Sequence, residues 1–426
     1  MKEQFSFTGR VIEGHHLGHT LGFPTANIVV TPGERVPAFG VYAAWVTLPD
    51  GTHRAAVTNL GVRPTVEEAG ALWVESYLLD FSGDLYGQEL TVTLCHFLRP
   101  ERRFPDVEAL RQAIARDLRE YKGMAVPPEQ IVVGAGAEYL YLLLAQLLGR
   151  EAVFAVEDPG YPKIRQVYGK CGAACRPVPL DGQGVPPEAL EAAGASVVHL
   201  SPAHHYPTGL VTPIGRRQAL LRWAEKAGGI IIEDDYDSEF RLTGKPIPSL
   251  QSMDITQKVI YINTFTKSLS STMRISYMVL PPKLANRFLE RLSFYSCTVS
   301  NFEQYALMRF INEGCFEKHI NRMRNFYHKQ RDSLLDAIKN SPLASYVTIM
   351  EEDSGLHFLL KVNTELSDEE LMQRALQKGV KLNSLSAYYH DSPDDFAAHT
   401  FIINYSYLNT TGVEDAIKVL YDVIKK

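Results

Sequence analysis

The sequence predicts a multidomain protein in which a small β domain is followed by an α/β domain and a final α+β segment. Up to about residue 100, short runs rich in β-branched and aromatic residues are separated by turn residues. From residue 131 onward, strand-like and helical runs alternate, which is typical of a parallel α/β sheet. The length of 426 residues also exceeds one ordinary domain of ~100–200 residues.

The β domain is expected to be a small barrel or sandwich. Its clearest strand-like runs are residues 40–48, 54–60, 72–80 and 89–97. The period then changes over residues 106–121, where apolar residues recur every three or four positions. This spacing predicts an amphipathic helix.

The α/β domain has strand-like runs at residues 131–133, 197–200, 230–233 and 259–263. A long helical region is expected beyond Pro281 through Lys339, and the α+β segment from about Tyr346 to the end. We therefore expect a first domain at 1–120 that ends in the helix. The second domain would cover 121–426, with a large part at about 121–310 and a small part at about 311–426.

Composition and charge exclude several classes of protein. The net charge of −6 gives no indication of a nucleic-acid-binding or membrane-surface protein. The longest apolar stretch, residues 139–148, is too short to span a bilayer, and the N-terminus has no secretory signal pattern. The five cysteines form no CxxC pair, so we expect reduced thiols, no zinc site and a cytoplasmic protein.

The segment GHHLGHTLGFPTAN at 14–27 is the first candidate functional motif. Its three glycines would let backbone N–H groups approach a phosphate closely. Thr25 and Asn27 offer oxygen atoms of the kind that magnesium accepts. By itself a glycine-rich loop is more often an ordinary turn.

Longer motifs follow in a fixed order: GFPTAN at 22–27, GVY at 40–42, NLGVRPT at 59–65, ESYLLDFSGDLYG at 75–87 and FLRPERRF at 97–104. Together they resemble the riboflavin kinase family over nearly all of residues 5–118. The resemblance implies a compact antiparallel β-barrel that transfers the γ-phosphate of ATP to the 5′-hydroxyl of riboflavin.

The resemblance also implies roles for individual residues. Thr25 and Asn27 would hold magnesium, and both would share the nucleotide-phosphate site with Gly18, Gly22 and Asn59. Glu75 would be the catalytic base.

Physical chemistry supports the role of Glu75, because phosphoryl transfer needs positioning, charge neutralisation and one carboxylate near the hydroxyl. Glu75 lies in an otherwise apolar run, although an outward-facing strand residue is the alternative. One departure from the family is that His15, His16 and His19 stand where many members carry arginine, which predicts weaker phosphate binding.

Three further motifs indicate a second chemistry. In TFTKSLSSTMRISY at 264–277, Lys267 among hydroxyl residues and Arg274 suit a Schiff-base lysine beside a phosphate site. In IIIEDDYDSEFR at 230–241, an apolar strand ends in acids, one of which could pair with a pyridinium nitrogen. A capped strand end or a metal site is the alternative. VVGAGAEYLY at 132–141 would offer a helix N-terminus to an anion.

With VEDPGYP at 156–162 and SPAHHYPTG at 201–209, these motifs resemble the aminotransferase-like domain of MocR-type regulators in the GntR family, over roughly residues 120–426. The resemblance implies a fold-type-I α/β domain that binds pyridoxal phosphate, with a small C-terminal α+β subdomain. It also implies a homodimer.

The resemblance assigns Lys267 to the covalent link with the cofactor and Asp234 to the pyridine nitrogen, with Asp235 as the alternative. Tyr236 would contact the cofactor O3′ and Tyr161 would stack on its ring. The remaining residues with implied cofactor contacts are Ala135, Gly136 and Ala137 through their backbone N–H groups, Thr264, Thr266 and Arg274 at the phosphate, and His204.

Two departures limit the inference. Nothing in the chain resembles the winged helix-turn-helix with which MocR-type proteins normally begin. The run FIINYSY at 401–407 also lacks the arginine that usually binds the substrate carboxylate, so efficient transamination is not expected. Arg165 could substitute for it or be an ordinary surface residue.

The expected function is therefore riboflavin phosphorylation joined to a domain that binds pyridoxal phosphate. Two alternatives stay open: a cofactor-dependent sensor of an amine or amino acid without turnover, and a natural or engineered fusion in which one part is only a partner. The expected ligands are riboflavin, ATP with Mg²⁺, and an amine or amino acid; no membrane partner and no DNA-binding domain are expected.

Overall fold

The computed structural model describes residues 5–12, 25–30, 36–62, 72–79, 81, 83–100, 107–242, 247–270, 272–353, 355–390, 395–406 and 412–425. The chain divides into two compact units, Met1–Phe104 and Pro105–Lys426. All five cysteines are free thiols. Within the described ranges, no helix is both long and apolar enough to cross a membrane.

The first unit is a closed antiparallel barrel, which confirms the barrel that the sequence predicts. Its strands are β1 (Phe5–Ile12), β2 (Thr25–Val30), β3 (Gly40–Thr47), β4 (His53–Val62), β5 (Leu72–Leu78) and β6 (Glu89–Pro100). They pair in the order β1-β2-β5-β4-β3-β6, and β6 closes the barrel on β1. Alternate side chains of each strand fill the interior, as Leu72, Val74 and Leu78 do on β5.

The helix expected over residues 106–121 is α1 (Val107–Lys122). Its apolar face, which includes Leu110, Ile114 and Leu118, is buried in the same core as Ile131 of the second unit. The sequence-based boundary at 120 assigns this helix to the first domain, whereas the compact units divide between Phe104 and Pro105.

The core of the second unit is a seven-stranded sheet in the order β7-β13-β12-β11-β10-β8-β9. The strands are β7 (Ile131–Gly134), β8 (Val153–Asp158), β9 (Ala174–Pro179), β10 (Val197–Leu200), β11 (Ile230–Asp235), β12 (Val259–Thr264) and β13 (Ser276–Val279). All pairs are parallel except those of β13, which runs antiparallel to both β12 and β7.

The parallel α/β sheet that the sequence predicts is thus present in every pair except those of β13, a strand that the sequence analysis did not identify. Only a short connection joins β12 to β13, and it contains the one-turn helix α7 (Phe265–Ser268). A parallel return needs a crossover of a dozen residues or more, so a short connection brings the chain back antiparallel.

Helices cover the sheet and build the rest of the unit. Those around the sheet are α2 (Ala137–Leu148), α3 (Pro162–Lys170), α4 (Pro187–Ala192), α5 (Ile214–Ala227) and α6 (Leu250–Met253), followed after β13 by α8 (Pro282–Leu292), α9 (Asn301–Asn312) and α10 (Cys315–Lys339). The last three form the long helical region expected from the sequence.

The C-terminal α+β segment has a three-stranded antiparallel sheet, β14 (Val347–Met350), β15 (His357–Val362) and β16 (Thr400–Asn404), with α11 (Asp368–Gln377) and α12 (Val413–Ile424). Its apolar residues, among them Phe358 and Phe401, join the core that also contains α1. The C-terminal segment therefore packs as part of the second unit.

Candidate functional site

In the first unit, strand pairing places three candidate residues side by side. Strand β5 lies between β2 and β4, and Glu75 on β5 is directly opposite Asn27 on β2 and Asn59 on β4. Residues directly opposite on antiparallel strands project to the same face of the sheet. The carboxylate of Glu75 therefore lies between two amide side chains.

This row of residues is on the side of the sheet away from the barrel core. On β5, the buried residues Val74 and Ser76 flank the partly exposed Glu75. Asn27 is buried. For Thr25 only the backbone position on β2 is described. The other residues expected near the nucleotide lie outside the described residues: Gly18, Gly22, His15, His16 and His19.

In the second unit, Asp234 at the end of β11 is held by two neighbouring side chains. The Tyr141 hydroxyl of α2 donates to Asp234 Oδ2, and His199 Nε2 on β10 lies 3.2 Å from the same oxygen. A carboxylate only accepts, so His199 donates to it from Nε2, while its Nδ1 lies 2.9 Å from the Tyr168 hydroxyl. The acid is buried and held in orientation by these two neighbours.

The adjacent Asp235 has a different set of partners. Its Oδ2 accepts three hydrogen bonds: from Lys122 Nζ at the end of α1 at 2.8 Å, from the Tyr261 hydroxyl at 2.6 Å and from the Ser238 hydroxyl at 2.8 Å. Lys122 also pairs with Glu239 at 2.9 Å. Successive strand residues point to opposite faces, so Asp235 lies on the face away from Asp234. Burial by itself would raise the pKa of Asp235. The Lys122 charge and these hydrogen bonds lower it by more than burial raises it, so the pKa of Asp235 is below its ordinary value.

Lys267 lies in α7, directly after β12. Thr264 caps this turn, because its Oγ1 accepts from the Thr266 backbone N–H at 3.2 Å. The Ser276 hydroxyl of β13 donates to the same oxygen at 2.8 Å. The lysine is thus placed at the carboxyl end of β12, next to a cluster of hydroxyl groups.

A candidate phosphate site lies where β7 leads into α2. Gly136 has φ +102°, and a Cβ there would lie 2.6 Å from Arg274 Nη2, so the guanidinium group lies directly against this turn. Arg274 also pairs with Glu138 at 2.9 Å. Two of the three backbone N–H groups expected at the phosphate have partners within the protein: the Ala135 N–H donates to Thr298 Oγ1 at 2.9 Å and the Gly136 N–H to the Gly134 carbonyl at 2.9 Å. The phosphate site expected from the sequence therefore depends mainly on the start of the helix and on Arg274.

Ala137 begins α2, and no side chain caps this helix. A helix N-terminus with an adjacent arginine is a favourable place for a phosphate group. The residues present therefore fit pyridoxal phosphate: an anion site at α2, an oriented acid at Asp234 and a lysine at α7.

Three other candidates lie on the same edge of the sheet. The Tyr161 ring, directly before α3, is edge-on to Tyr206 at 6.0 Å. The Tyr236 hydroxyl is 3.2 Å from His204 Nδ1, which is also 2.9 Å from Asp237. His204 is buried, so this small network is shielded from solvent.

Sequence reasoning did not identify Tyr141, His199 or Lys122. A histidine in the otherwise apolar strand VVHL was a usable signal, because a buried imidazole needs a partner. Tyr141 occupies an ordinary position of an apolar helix, and Lys122 precedes a glycine at a helix end, so neither has a distinctive pattern.

Within the described part of the chain, no group of three or more His, Cys, Asp or Glu residues could hold a metal ion. The magnesium residues expected from the sequence, Thr25 and Asn27, are adjacent to segments that the structure does not describe.

Comparison with known proteins gives two family matches. The riboflavin kinase family model matches residues 1–125, and the aminotransferase class I and II model matches residues 99–396. The two matches overlap over α1.

Among curated relatives, the chain is 37% identical over 337 residues to the uncharacterised HTH-type transcriptional regulator YdeL of Bacillus subtilis, covering 79% of this chain and 70% of that protein. It is 33% identical to the probable rhizopine catabolism regulatory protein MocR of Rhizobium meliloti, covering 73% of this chain and 62% of that protein. The chain thus spans about two thirds of the length of these regulators.

Among solved structures, the kynurenine aminotransferase of Pyrococcus horikoshii is similar with a TM-score of 0.65 and 26% identity. The match covers 76% of this chain and 82% of that one. The multiple substrate aminotransferase of Thermococcus profundus is similar with a TM-score of 0.65 and 25% identity, covering 74% and 80%. The second unit therefore has the fold of these aminotransferases.

Proposed function

Because the chain belongs to the aminotransferase class I and II family and carries a riboflavin kinase domain, we propose that its second unit binds pyridoxal phosphate and its first unit phosphorylates riboflavin. The observation that carries the first part is the buried Asp234, oriented by Tyr141 and His199 at the sheet edge that also bears Lys267. An acid fixed in this way suits a ring nitrogen that must stay protonated.

In this proposal Lys267 forms the covalent link to the cofactor, and Asp234 binds its ring nitrogen. The start of α2 with Arg274 binds the phosphate, Tyr161 stacks on the ring and Tyr236 contacts O3′. When bound, pyridoxal phosphate supplies an electron sink for chemistry at an amine carbon.

We propose further that the second unit binds an amine or amino acid without efficient transamination. The run 401–407 contains no arginine for a substrate carboxylate, and the curated relatives include proteins described as regulators. Slow turnover would leave binding as the main event at this site. This is compatible with a sensor of amine ligands.

The test is an absorption spectrum of the full chain with pyridoxal phosphate, followed by borohydride reduction and mass measurement. Wild type and the matched control Lys283→Ala, an exposed lysine of α8, should each gain one cofactor adduct. Lys267→Ala should gain none. An adduct that survives in Lys267→Ala would show that another lysine forms the link, and the proposal would fail.

For the first unit, the row of Asn27, Glu75 and Asn59 supports riboflavin phosphorylation. Glu75 would orient or deprotonate the 5′-hydroxyl of riboflavin, while Asn27 and Asn59, with Thr25, would hold the magnesium–ATP complex. Such a carboxylate contributes about 10²–10⁴-fold to rate as a general base.

Glu75→Gln should therefore reduce FMN formation at least about a hundredfold while riboflavin binding is retained. Glu89→Gln, an exposed acid at the start of β6, is the control and should keep wild-type activity. Chromatographic measurement of FMN with ATP and Mg²⁺ distinguishes the variants. Wild-type turnover in Glu75→Gln would remove this residue from the base role.

A further inference from the structure

A cavity of about 370 Å³ lies beside the cofactor residues in the second unit. It is lined by Glu157 near the end of β8, by His199 and Ser201, and by residues 387–390. The volume falls within the ~300–1,000 Å³ of small-molecule sites. The cavity is therefore large enough for a compact organic ligand.

The cavity and the cofactor site share two residues. Tyr161, proposed to stack on the cofactor, and His199, which holds Asp234, both line the cavity. Tyr206 and Tyr388 also line it and are joined through their hydroxyl groups at 2.7 Å. A ligand here would lie against aromatic rings and next to the group that positions the cofactor.

Arg165 of α3 supplies a positive charge to the cavity. Its Nη1 donates to His390 Nε2 at 3.2 Å, and among the described residues no carboxylate lies within ion-pair distance of it. A guanidinium group carries five N–H donors, so this contact leaves further donors available. The planar fork of arginine is suited to two-point binding of a carboxylate.

The two acids that line the cavity, Glu157 and Asp158, have different surroundings. Burial raises the pKa of Glu157 to about 8, so Glu157 is mainly protonated at neutral pH. Asp158 is the next residue along the chain and also lines the cavity. Its Oδ1 accepts the His390 backbone N–H at 2.8 Å. The cavity thus contains one cation, one anion and aromatic walls.

We propose that this cavity binds a small ligand with both a carboxylate and an amine, that is, an amino acid or a close analogue, and that Arg165 binds the carboxylate. The proposal rests on the proposed function, because Tyr161, which lines this cavity, is also proposed to stack on the cofactor ring. It supplies the carboxylate recognition that the run 401–407 does not provide. In this proposal the residue that recognises the carboxylate, Arg165, is on α3.

The experiment uses the full chain loaded with pyridoxal phosphate. Proteinogenic amino acids and 4-aminobutyrate are titrated by calorimetry, while the cofactor absorption band is recorded in parallel. For each compound that binds, the amine lacking its carboxylate is titrated as the matched ligand. We expect at least one amino acid to bind, and its amine counterpart to bind at least about tenfold more weakly.

Arg165→Gln should weaken binding of the amino acid by about 10- to 100-fold and leave binding of the matched amine unchanged. Arg165→Lys should recover part of the loss, since it keeps the charge but not the fork. Lys170→Gln, an exposed residue of the same helix, is the control and should match wild type. An unchanged cofactor band in each variant shows that the fold is intact.

Two results would overturn the proposal: no amino acid binds the loaded wild type, or Arg165→Gln binds amino acids as tightly as wild type. Failure of the proposed function is a separate observation, because wild type would then show no protein-bound cofactor band before any ligand is added. Calorimetry would still test the cavity in that case.

Discussion

The strongest structural prediction concerns Lys122, whose side chain joins α1 to two acids, one at the carboxyl end of β11 and one just after it. Its Nζ is 2.8 Å from Asp235 and 2.9 Å from Glu239, and its side chain is only 16% exposed. Lys122→Met keeps the length of the side chain and removes the charge. The largely buried carboxylates of Asp235 and Glu239 then repel each other with no cation between them.

The magnitude follows from burial. Removing one partner of a buried ion pair costs about 3–5 kcal/mol, because the other charge stays desolvated. The surface pair Lys226–Glu191, with exposed fractions of 82% and 55%, provides the matched control, and Lys226→Met should cost less than about 1 kcal/mol. We expect Lys122→Met to lower the free energy of unfolding of the second unit by about 3–5 kcal/mol at neutral pH.

The effect should also depend on pH. The pKa of Asp235 is below its ordinary value in the folded wild type, so its stabilising contribution is present above the ordinary aspartate pKa and is lost as pH falls through the folded pKa. Without Lys122, burial raises the pKa of Asp235, and protonation at low pH relieves the unpaired charge. The difference between Lys122→Met and wild type should therefore be larger at pH 7 than at pH 4.

Urea unfolding followed by tryptophan fluorescence is the assay. The chain has three tryptophans, two on barrel strands and Trp223 buried in α5, so replacing Trp45 and Trp73 by Phe leaves a signal from the second unit alone. A loss below about 1 kcal/mol, or a loss equal to that of Lys226→Met, would refute the reasoning.

Three further predictions concern the proposed cofactor site and the cavity beside it. Gly136→Ala should weaken pyridoxal phosphate binding at least about tenfold in a fluorescence titration, because the new Cβ would displace the Arg274 guanidinium from a turn with positive φ; unchanged affinity would contradict the phosphate site. Tyr141→Phe should raise the cofactor Kd by about 10- to 100-fold by removing a hydrogen bond that orients Asp234, with retained affinity as the contrary outcome. Burial raises the pKa of Glu157 to about 8, so its stabilising contribution is complete below about pH 4 and is lost as pH rises towards 8. Glu157→Gln should therefore flatten the fall in the free energy of unfolding over this pH range, measured by chemical unfolding. An unchanged slope would contradict the burial argument.

In the barrel, sequence reasoning reached the residues but not their arrangement. Motif order singled out Asn27, Asn59 and Glu75, and the strand-like run at 72–80 placed Glu75 on a strand. Their neighbouring positions follow from β5 inserting between β2 and β4, a non-local pairing that no local pattern contains. Strand β2 also escaped notice, because its first residues continue a glycine-rich loop.

In the second unit, the alternation of strand residues would have separated Asp234 from Asp235, since adjacent residues point to opposite faces. What the sequence could not show is which face of the strand carries the proposed cofactor site. That depends on Tyr141 and His199, which arrive from other elements, and on Lys122, which takes Asp235 on the opposite face. The antiparallel direction of β13 could not be predicted either, because the sequence analysis did not identify β13 as a strand.

The overlap of the two family matches over residues 99–125 raises the question of which unit needs α1. The packing of its apolar face and the ion pair of Lys122 both assign α1 to the second unit. The apolar face of α1 fills a core that also contains Ile131 and Phe358, and its last residue, Lys122, neutralises Asp235. A helix bound at both its side and its end cannot be removed from the second unit without exposing that core and leaving a buried acid unpaired. A division of the chain at 104/105 therefore respects the physical contacts of the second unit, whereas one at 120 separates most of α1 from the core into which it is packed.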